Sequence, residues 1–348
     1  MSEYVSNTTL DVVAERLRRA RRVVITTHQK PDGDALGSGL ALARAIGSLG
    51  IDASIWLIGP LSDNLRGLID QDAIHFVDEE SLPPNDADVI VVVDTGAWVQ
   101  VEPLHNWLRE RTDRIIGLDH HRNGDADMSA QRIVDPECAA TTQLIVRLLD
   151  AMQVPLDSAA MADPLLAGLA TDTGWFRFDS ADAGVFRVVA RLLEAGADKS
   201  RLFQLIEEND RPERLAMTSL ALRSLELVAD GHAAMMLLRP EDFQETGAVV
   251  EELNGIVNLP MTVGEVRACA LLTSSGPAQT KISLRSKPAI DTPDRKYPAV
   301  DVNELARLFG GGGHRHAAGA RLDCSIDEAV TEVRQVMESF VRDSLKAD

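Results

Sequence analysis

The feature that most restricts what this chain can become is a set of apolar runs that end in acidic or imidazole side chains. Val23 to His28 (VVITTH), Ala53 to Ile58 (ASIWLI), Asp88 to Asp94 (DVIVVVD) and Arg114 to His121 (RIIGLDHH) read as successive strands. Their residues are largely apolar rather than alternating, as strands buried on both faces must be. Between them run segments of helical periodicity: Leu36 to Leu49, stopped by Gly50, then Thr142 to Met152, and one that contains Leu165 to Ala170. Strands alternating with helices give a parallel sheet covered on both sides. The expected fold class is α/β, with a doubly wound, parallel-sheet domain in the first half of the chain.

Farther along, the pattern changes. Ala183 to about Asp230 reads as helical and increasingly charged, including EENDRPER, and after Gly231 come the strand-like runs HAAMMLL, EVRACALLT and TKISLRS. The last two flank the turn-rich SSGPAQ, which predicts a hairpin. A helix over Val302 to Leu308 leads into GGGGHRHAAG, and an amphipathic helix spans about Ile326 to Leu345. A chain of 348 residues suits two domains. The expected division is a catalytic domain over 1–195, a helical linker over 196–230 and a smaller α+β domain over 231–348, with an inter-domain cleft.

The formal net charge of -19 argues against a protein that coats long nucleic acid, because such binding depends on basic residues that neutralise phosphates. A compact anion held by metal ions stays compatible with that charge, since carboxylates at a metal site count as negative until the ions bind. No stretch approaches the ~20 apolar residues of a membrane span. The opening MSEYVSNTTLDVV lacks a basic region followed by an apolar one, so a cytoplasmic protein with no membrane partner is expected. Cys138, Cys269 and Cys324 are far apart and suggest neither a disulfide framework nor a zinc knuckle.

In open α/β sheets ligands bind at the carboxyl ends of the strands, and that is where the polar groups collect here. THQKPDGDALGS carries His28, Asp32 and Asp34; taken alone it is a Pro-Asp-Gly turn with Asp34 as a helix N-cap. Asp94 closes a very apolar strand, where an unpaired carboxylate is costly without a partner or a cation. GLDHH supplies Asp119, His120 and His121, of which one imidazole can bind metal while the other faces substrate. ATDTGWFRF puts Asp172 at the end of a helix. Aspartates and histidines with no cysteine suit hard divalent cations; the imidazoles tilt the choice toward Mn²⁺, with Mg²⁺ as the alternative. Two ions ~3.5–4 Å apart need one bridging carboxylate, for which Asp94 is the candidate. In GGGGHRHAAG, consecutive glycines let backbone N–H groups approach an anion, and His314 and Arg315 add donors. By itself that segment also reads as a flexible connector.

Together these motifs resemble the DHH phosphoesterases, and within them the nano-RNase (oligoribonuclease) and phosphoadenosine-phosphate phosphatase group, over nearly the whole chain. His28, Asp32 and Asp34 fit the first acidic motif, Asp94 the second, Asp119, His120 and His121 the third, and Asp172 the fourth. The resemblance implies two metal ions, one held by His28, Asp32 and Asp94 and the other by Asp34, Asp94, His120 and Asp172. It implies that His121 faces the scissile phosphate while Asp119 orients a histidine. It also implies that Arg285, Gly312, Gly313, His314 and Arg315 grip the substrate's phosphate and base. The implied activity is hydrolysis of very short oligonucleotides or linear dinucleotides to 5′-mononucleotides, and of 3′-phosphoadenosine 5′-phosphate to AMP and phosphate. Three alternatives are weighed. A RecJ-like exonuclease should carry an extra oligonucleotide-binding domain and a basic track. A pyrophosphatase or exopolyphosphatase should carry a second domain rich in lysine and arginine. A non-catalytic nucleotide sensor need not keep the intact ligand set. The sequence leaves the oligomeric state open, a homodimer included.

Overall fold

The computed structural model describes residues 3–69, 74–78, 80–276, 278–293 and 295–346, and the chain divides into two compact units, Met1–Asn209 and Asp210–Asp348. Among the described residues no helix is long and apolar enough to cross a membrane.

In the first unit, β1 (Arg22–Thr26), β2 (Asp52–Leu57), β3 (Ile74–Phe76), β4 (Val89–Val93), β5 (Ile115–Asp119) and β6 (Gln131–Val134) form one sheet. Their order is β3-β2-β1-β4-β5-β6 and every pairing is parallel. β4 shows why: all five residues of VIVVV are buried. Val89, Val91 and Val93 join one apolar cluster while Ile90 and Val92 join another, so the strand is covered on both faces. The first cluster is built with α1 (Leu10–Arg19), α2 (Gly33–Ser48), α5 (Thr141–Ala151) and α6 (Ala159–Asp172); the second includes Trp98 and Trp107, beside the short helix α4 (His105–Arg109). α3 (Asp63–Arg66), α7 (Ala183–Glu194) and α8 (Lys199–Glu207) complete the unit. β3 and β6 extend the four strands read from the sequence.

α2 and α6 cross at glycines. A Cβ added to Gly37 would stand 2.2 Å from the Pro164 carbonyl oxygen, and one added to Gly168 would stand 2.9 Å from the Asp34 Cα. The two helices are therefore in backbone contact just where they carry Asp34 and lead to Asp172.

The second unit begins with α9 (Pro212–Arg223), which packs on β8 (Ala233–Leu238) and α10 (Pro240–Thr246). Its sheet contains β7 (Glu226–Val228), β8 (Ala233–Leu238), β9 (Ala268–Gly276), β10 (Gln279–Ser286), β13 (Gly312–His314) and β14 (Ala317–Leu322), ordered β13-β14-β10-β9-β8-β7. β9 and β10 form the expected antiparallel hairpin, and β11 (Ile290–Thr292) with β12 (Arg295–Tyr297) forms a separate small one. α11 (Val302–Arg307) and α12 (Ile326–Lys346) cover one face through residues such as Leu305, Val333 and Met337; α9 covers part of the other, and α10 (Pro240–Thr246) lies beside it. The glycine-rich segment is not a connector. It supplies β13 and β14, joined at Arg315 and His316. Gly313 has φ +150, and a Cβ there would meet the Ala317 carbonyl at 2.6 Å, so the tight pairing requires glycine.

Candidate metal centre

The strand order reverses between β1 and β4, and the crevice outside the carboxyl ends of such neighbours is where an open α/β sheet binds ligands. Thr27 ties the two ends together, its hydroxyl donating to the Val93 carbonyl at 2.7 Å. Beyond this tie stand His28 and Asp94. His28 Nε2 lies 3.5 Å from Asp94 Oδ2 and 3.9 Å from Asp32 Oδ1. Asp32, not Asp34, caps α2: its Oδ1 accepts the N–H groups of Asp34 (3.1 Å) and Ala35 (3.0 Å). Asp34 is thereby freed to turn inward. Buried, it accepts the backbone N–H groups of Thr141 (2.5 Å) and Thr142 (2.8 Å) at the N-terminus of α5, where orphan donors and the helix dipole favour a negative charge.

Asp94 is 2% exposed and sits at φ 62, in the left-handed region, so the chain turns sharply as β4 ends. Its Oδ1 accepts the Thr141 hydroxyl at 2.9 Å. His120 Nδ1 lies 3.2 Å from the Cys138 carbonyl, which leaves Nε2 3.6 Å from Asp94 Oδ1 and 3.4 Å from Asp172 Oδ2. His121 Nδ1 also lies 3.8 Å from Asp94 Oδ1, but the ring is held differently. The His121 side chain is 41% exposed against 15% for His120, and its Nδ1 stands 2.8 Å from Oδ1 of the fully buried Asp119.

Three overlapping triads result: His28, Asp32 and Asp94; Asp94, His120 and His121; Asp34, His120 and Asp172. In each, three donor atoms lie within 4.8 Å of one another. Separations such as the 3.4 to 3.9 Å just given are long for hydrogen bonds. They approach the spacing, about 3 Å, of donors around a shared cation with ligand bonds of ~2.0–2.2 Å. The carboxylates strain against one another. Burial first, then the charges of Asp34, Asp32 and Asp172, push Asp94 well above the ordinary carboxylate range. Burial also raises Asp34, opposed in part by His120, and raises Asp172 to about 8 with help from Asp34 and Asp32. Divalent cations relieve such crowding, so these residues fit a pair of them. Asp119 differs: burial disfavours its charge, but hydrogen bonds from His121 and Tyr4 outweigh that and hold it below the usual range.

Sequence reading passed over Thr141 and Thr142, whose only signal is a pair of threonines opening a helix, and the glycines Gly37 and Gly168 of the helix crossing. Trp175, three residues after Asp172, is engaged with Phe203 edge-on and donates to Glu207 at 2.7 Å.

In the second unit, Arg285 pairs with Ala317, which pairs with His314, so the three form one row across β10, β14 and β13 on a single face. The next row holds Ser283, Gly319 and Gly312 and leaves the backbone bare. Gly312, Gly313, His314 and Arg315 are exposed.

A parallel sheet whose reversal point gathers Asp and His side chains in overlapping triads defines the chain as a metal-dependent α/β enzyme. Comparison with known proteins agrees with this: residues 22–169 match the DHH family, N-terminal domain. The chain is 29% identical over 336 residues to the bifunctional oligoribonuclease and PAP phosphatase NrnA of Thermus thermophilus, covering 95% of this chain and 94% of that one. The crystal structure of an exopolyphosphatase-related protein from Bacteroides fragilis superposes with a TM-score of 0.87 at 25% identity, over 99% of this chain and all of the other. Manganese-bound exonuclease RecJ shares the fold, with a TM-score of 0.50 at 17% identity over 96% of this chain and 94% of that one.

Proposed function

We propose that this protein hydrolyses phosphate esters of very short oligonucleotides, linear dinucleotides and 3′-phosphoadenosine 5′-phosphate with two divalent ions, Mn²⁺ before Mg²⁺. The observation that carries the reading is the sharing of Asp94 and His120 between donor triads, which suits a pair of ions better than one. His28, Asp32 and Asp94 would hold the first ion, and Asp34, Asp94, His120 and Asp172 the second. When bound, such a pair activates water and neutralises charge on the phosphoryl oxygens. The protein's own groups do the rest. Cys138 and the α5 N-terminus orient His120 and Asp34 from behind. His121, whose imidazole is held above its ordinary pKa first by the Asp119 hydrogen bond, offers a proton to charge that develops at phosphorus. Arg285, Gly312, Gly313, His314 and Arg315 would hold the phosphate and base remote from the scissile bond.

The name of the Thermus thermophilus relative joins oligoribonuclease with PAP phosphatase, which favours this substrate range. The test is turnover with Mn²⁺ on di- to pentanucleotides, phosphoadenosine phosphate, a linear dinucleotide and pyrophosphate. Mononucleotide release from the dinucleotides is expected, with little from pyrophosphate. Rapid hydrolysis of pyrophosphate alone would replace the reading with a pyrophosphatase, and no turnover at all would leave a nucleotide-binding sensor.

A further inference from the structure

A tyrosine far from the four acidic motifs reaches the centre from outside the sheet. Residues 3–7 lie along β6, the edge strand of the first sheet, as a strap. Asn7 N–H donates to the Arg132 carbonyl at 3.1 Å, the Arg132 N–H donates to Asn7 Oδ1 at 2.8 Å, and the Ser6 hydroxyl donates to the Val134 carbonyl at 2.9 Å. Arg132, itself buried, returns from the strand to the strap by donating to the Val5 carbonyl at 2.9 Å. The strap delivers Tyr4 between two loops that follow β4 and β5. A Cβ on Gly96 would stand 1.9 Å from the Tyr4 hydroxyl oxygen, and one on Gly124 would stand 2.6 Å from its Cζ. Both walls of the slot must therefore lack side chains.

At the end of the slot the Tyr4 hydroxyl donates to Asp119 Oδ2 at 2.7 Å. The other oxygen, Oδ1, accepts from the His121 backbone N–H at 3.0 Å and lies 2.8 Å from His121 Nδ1, a contact that requires the proton on Nδ1. Both carboxylate oxygens are thus engaged, and the plane of the Asp119 carboxylate is fixed from two sides. We propose that Tyr4 is a positioning residue of the phosphoesterase centre, holding Asp119 so that Asp119 in turn holds His121 in one tautomer and one orientation. This rests on the reading of His121 as the group that faces the phosphoryl. Removing the hydroxyl leaves Oδ2 buried and unpaired, and the carboxylate then turns toward other donors at the expense of Nδ1. Groups that orient a working imidazole typically matter by about 10- to 100-fold.

Tyr4→Phe keeps the ring in its slot and deletes only the hydroxyl. The full chain with Mn²⁺ should lose kcat about 10- to 100-fold on a dinucleotide, with KM and metal content within twofold of the parent. The same substitution in a His121→Ala background should change kcat by less than twofold, because the residue it positions is gone. Without metal, the His121 Nδ1 proton should give a resolved NMR resonance in the parent and broaden in Tyr4→Phe. A parent-like kcat for Tyr4→Phe, or the same fold-loss with and without His121, overturns the proposal. A His121→Ala enzyme with normal kcat removes instead the reading of His121 on which it rests, and metal content distinguishes both from a damaged centre.

Discussion

The helix crossing gives the sharpest prediction, because a single methyl group there should affect stability and metal binding together. In Gly37→Ala the new Cβ would stand 2.2 Å from the Pro164 carbonyl oxygen, whereas ordinary contact begins at 3.4 Å. The obstacle is backbone, which cannot swing aside, so α2 and α6 must part by about 1 Å. Overpacking of this kind costs ~1–3 kcal/mol, here toward the upper end; alanine's better helix propensity returns ~0.5–1. The net loss is about 2 kcal/mol. For a unit of this size that lowers Tm by about 4–8 °C. The same separation moves Asp34 on α2 away from Asp172 at the end of α6. A metal site tolerates ligand displacements of only about 0.2 Å, so Mn²⁺ affinity should fall at least ~10-fold. Thermal melts of the metal-free protein and calorimetric Mn²⁺ titration measure the two effects. Gly47→Ala on the same helix is the control. Its Cβ meets nothing among the described residues within 4 Å, and it should leave both quantities unharmed or raise Tm slightly. An unchanged Tm and Mn²⁺ affinity in Gly37→Ala would refute the crossing as the spacer of the two carboxylates.

Asp94→Asn, which tolerates the left-handed backbone better than alanine, should abolish turnover and the Mn²⁺-induced rise in Tm while raising the Tm of the metal-free protein, since a buried like charge is removed. Elemental analysis showing two ions per mutant chain would dispose of the shared-ligand role. The pH dependence of the metal-free protein follows from Asp172, raised from 3.8 to about 8. Between those values the folded state keeps a proton that the unfolded state has released, so stability should fall as pH rises through that window, and Mn²⁺ should remove the slope. The lowered carboxyl of Asp119 acts with the opposite sign, losing its contribution only as pH drops below the ordinary aspartate range. Melts at pH 5 and 9, with and without Mn²⁺, check the first sign, and melts of the metal-free protein taken from pH 5 down to pH 2 check the second. Arg285→Ala and His314→Ala should reduce kcat/KM for a dinucleotide far more than for bis-p-nitrophenyl phosphate, because contacts remote from the scissile bond matter only to substrates large enough to make them. Equal losses on both substrates would place these residues elsewhere in the chemistry.

The sequence declared the parts of this site that depend on local order. An all-apolar run such as Val89 to Val93 forces a strand buried on both faces, and an aspartate at its end then has few roles apart from binding a cation. Local order also misled. Pro31-Asp32-Gly33-Asp34 offers two aspartates for one helix cap, and only the three-dimensional position of the α5 N-terminus decides that Asp32 takes the cap and Asp34 the interior. β3 and β6 escaped because they are short and carry polar residues, stabilised by pairing rather than by their own pattern. The contacts at Gly37 with Pro164 and at Tyr4 with Asp119 join segments more than a hundred residues apart, and nothing in the local spacing of either partner announces the other.

The strand order has a consequence for how the protein comes to be active. Donors drawn from residues 28 to 172 converge only where β1 lies beside β4, strands separated in the chain by α2, β2, α3 and β3. No early fragment of the nascent chain contains a competent set, so cations cannot nucleate this fold as they do small zinc modules. Parallel pairing of distant segments makes the polypeptide step slow as well. Maturation should therefore run in sequence, with a complete but electrostatically uneasy apoprotein first and ion capture afterwards. During that interval the enzyme should exist as an inactive pool, and its size should follow the supply of divalent cations as well as the rate of synthesis.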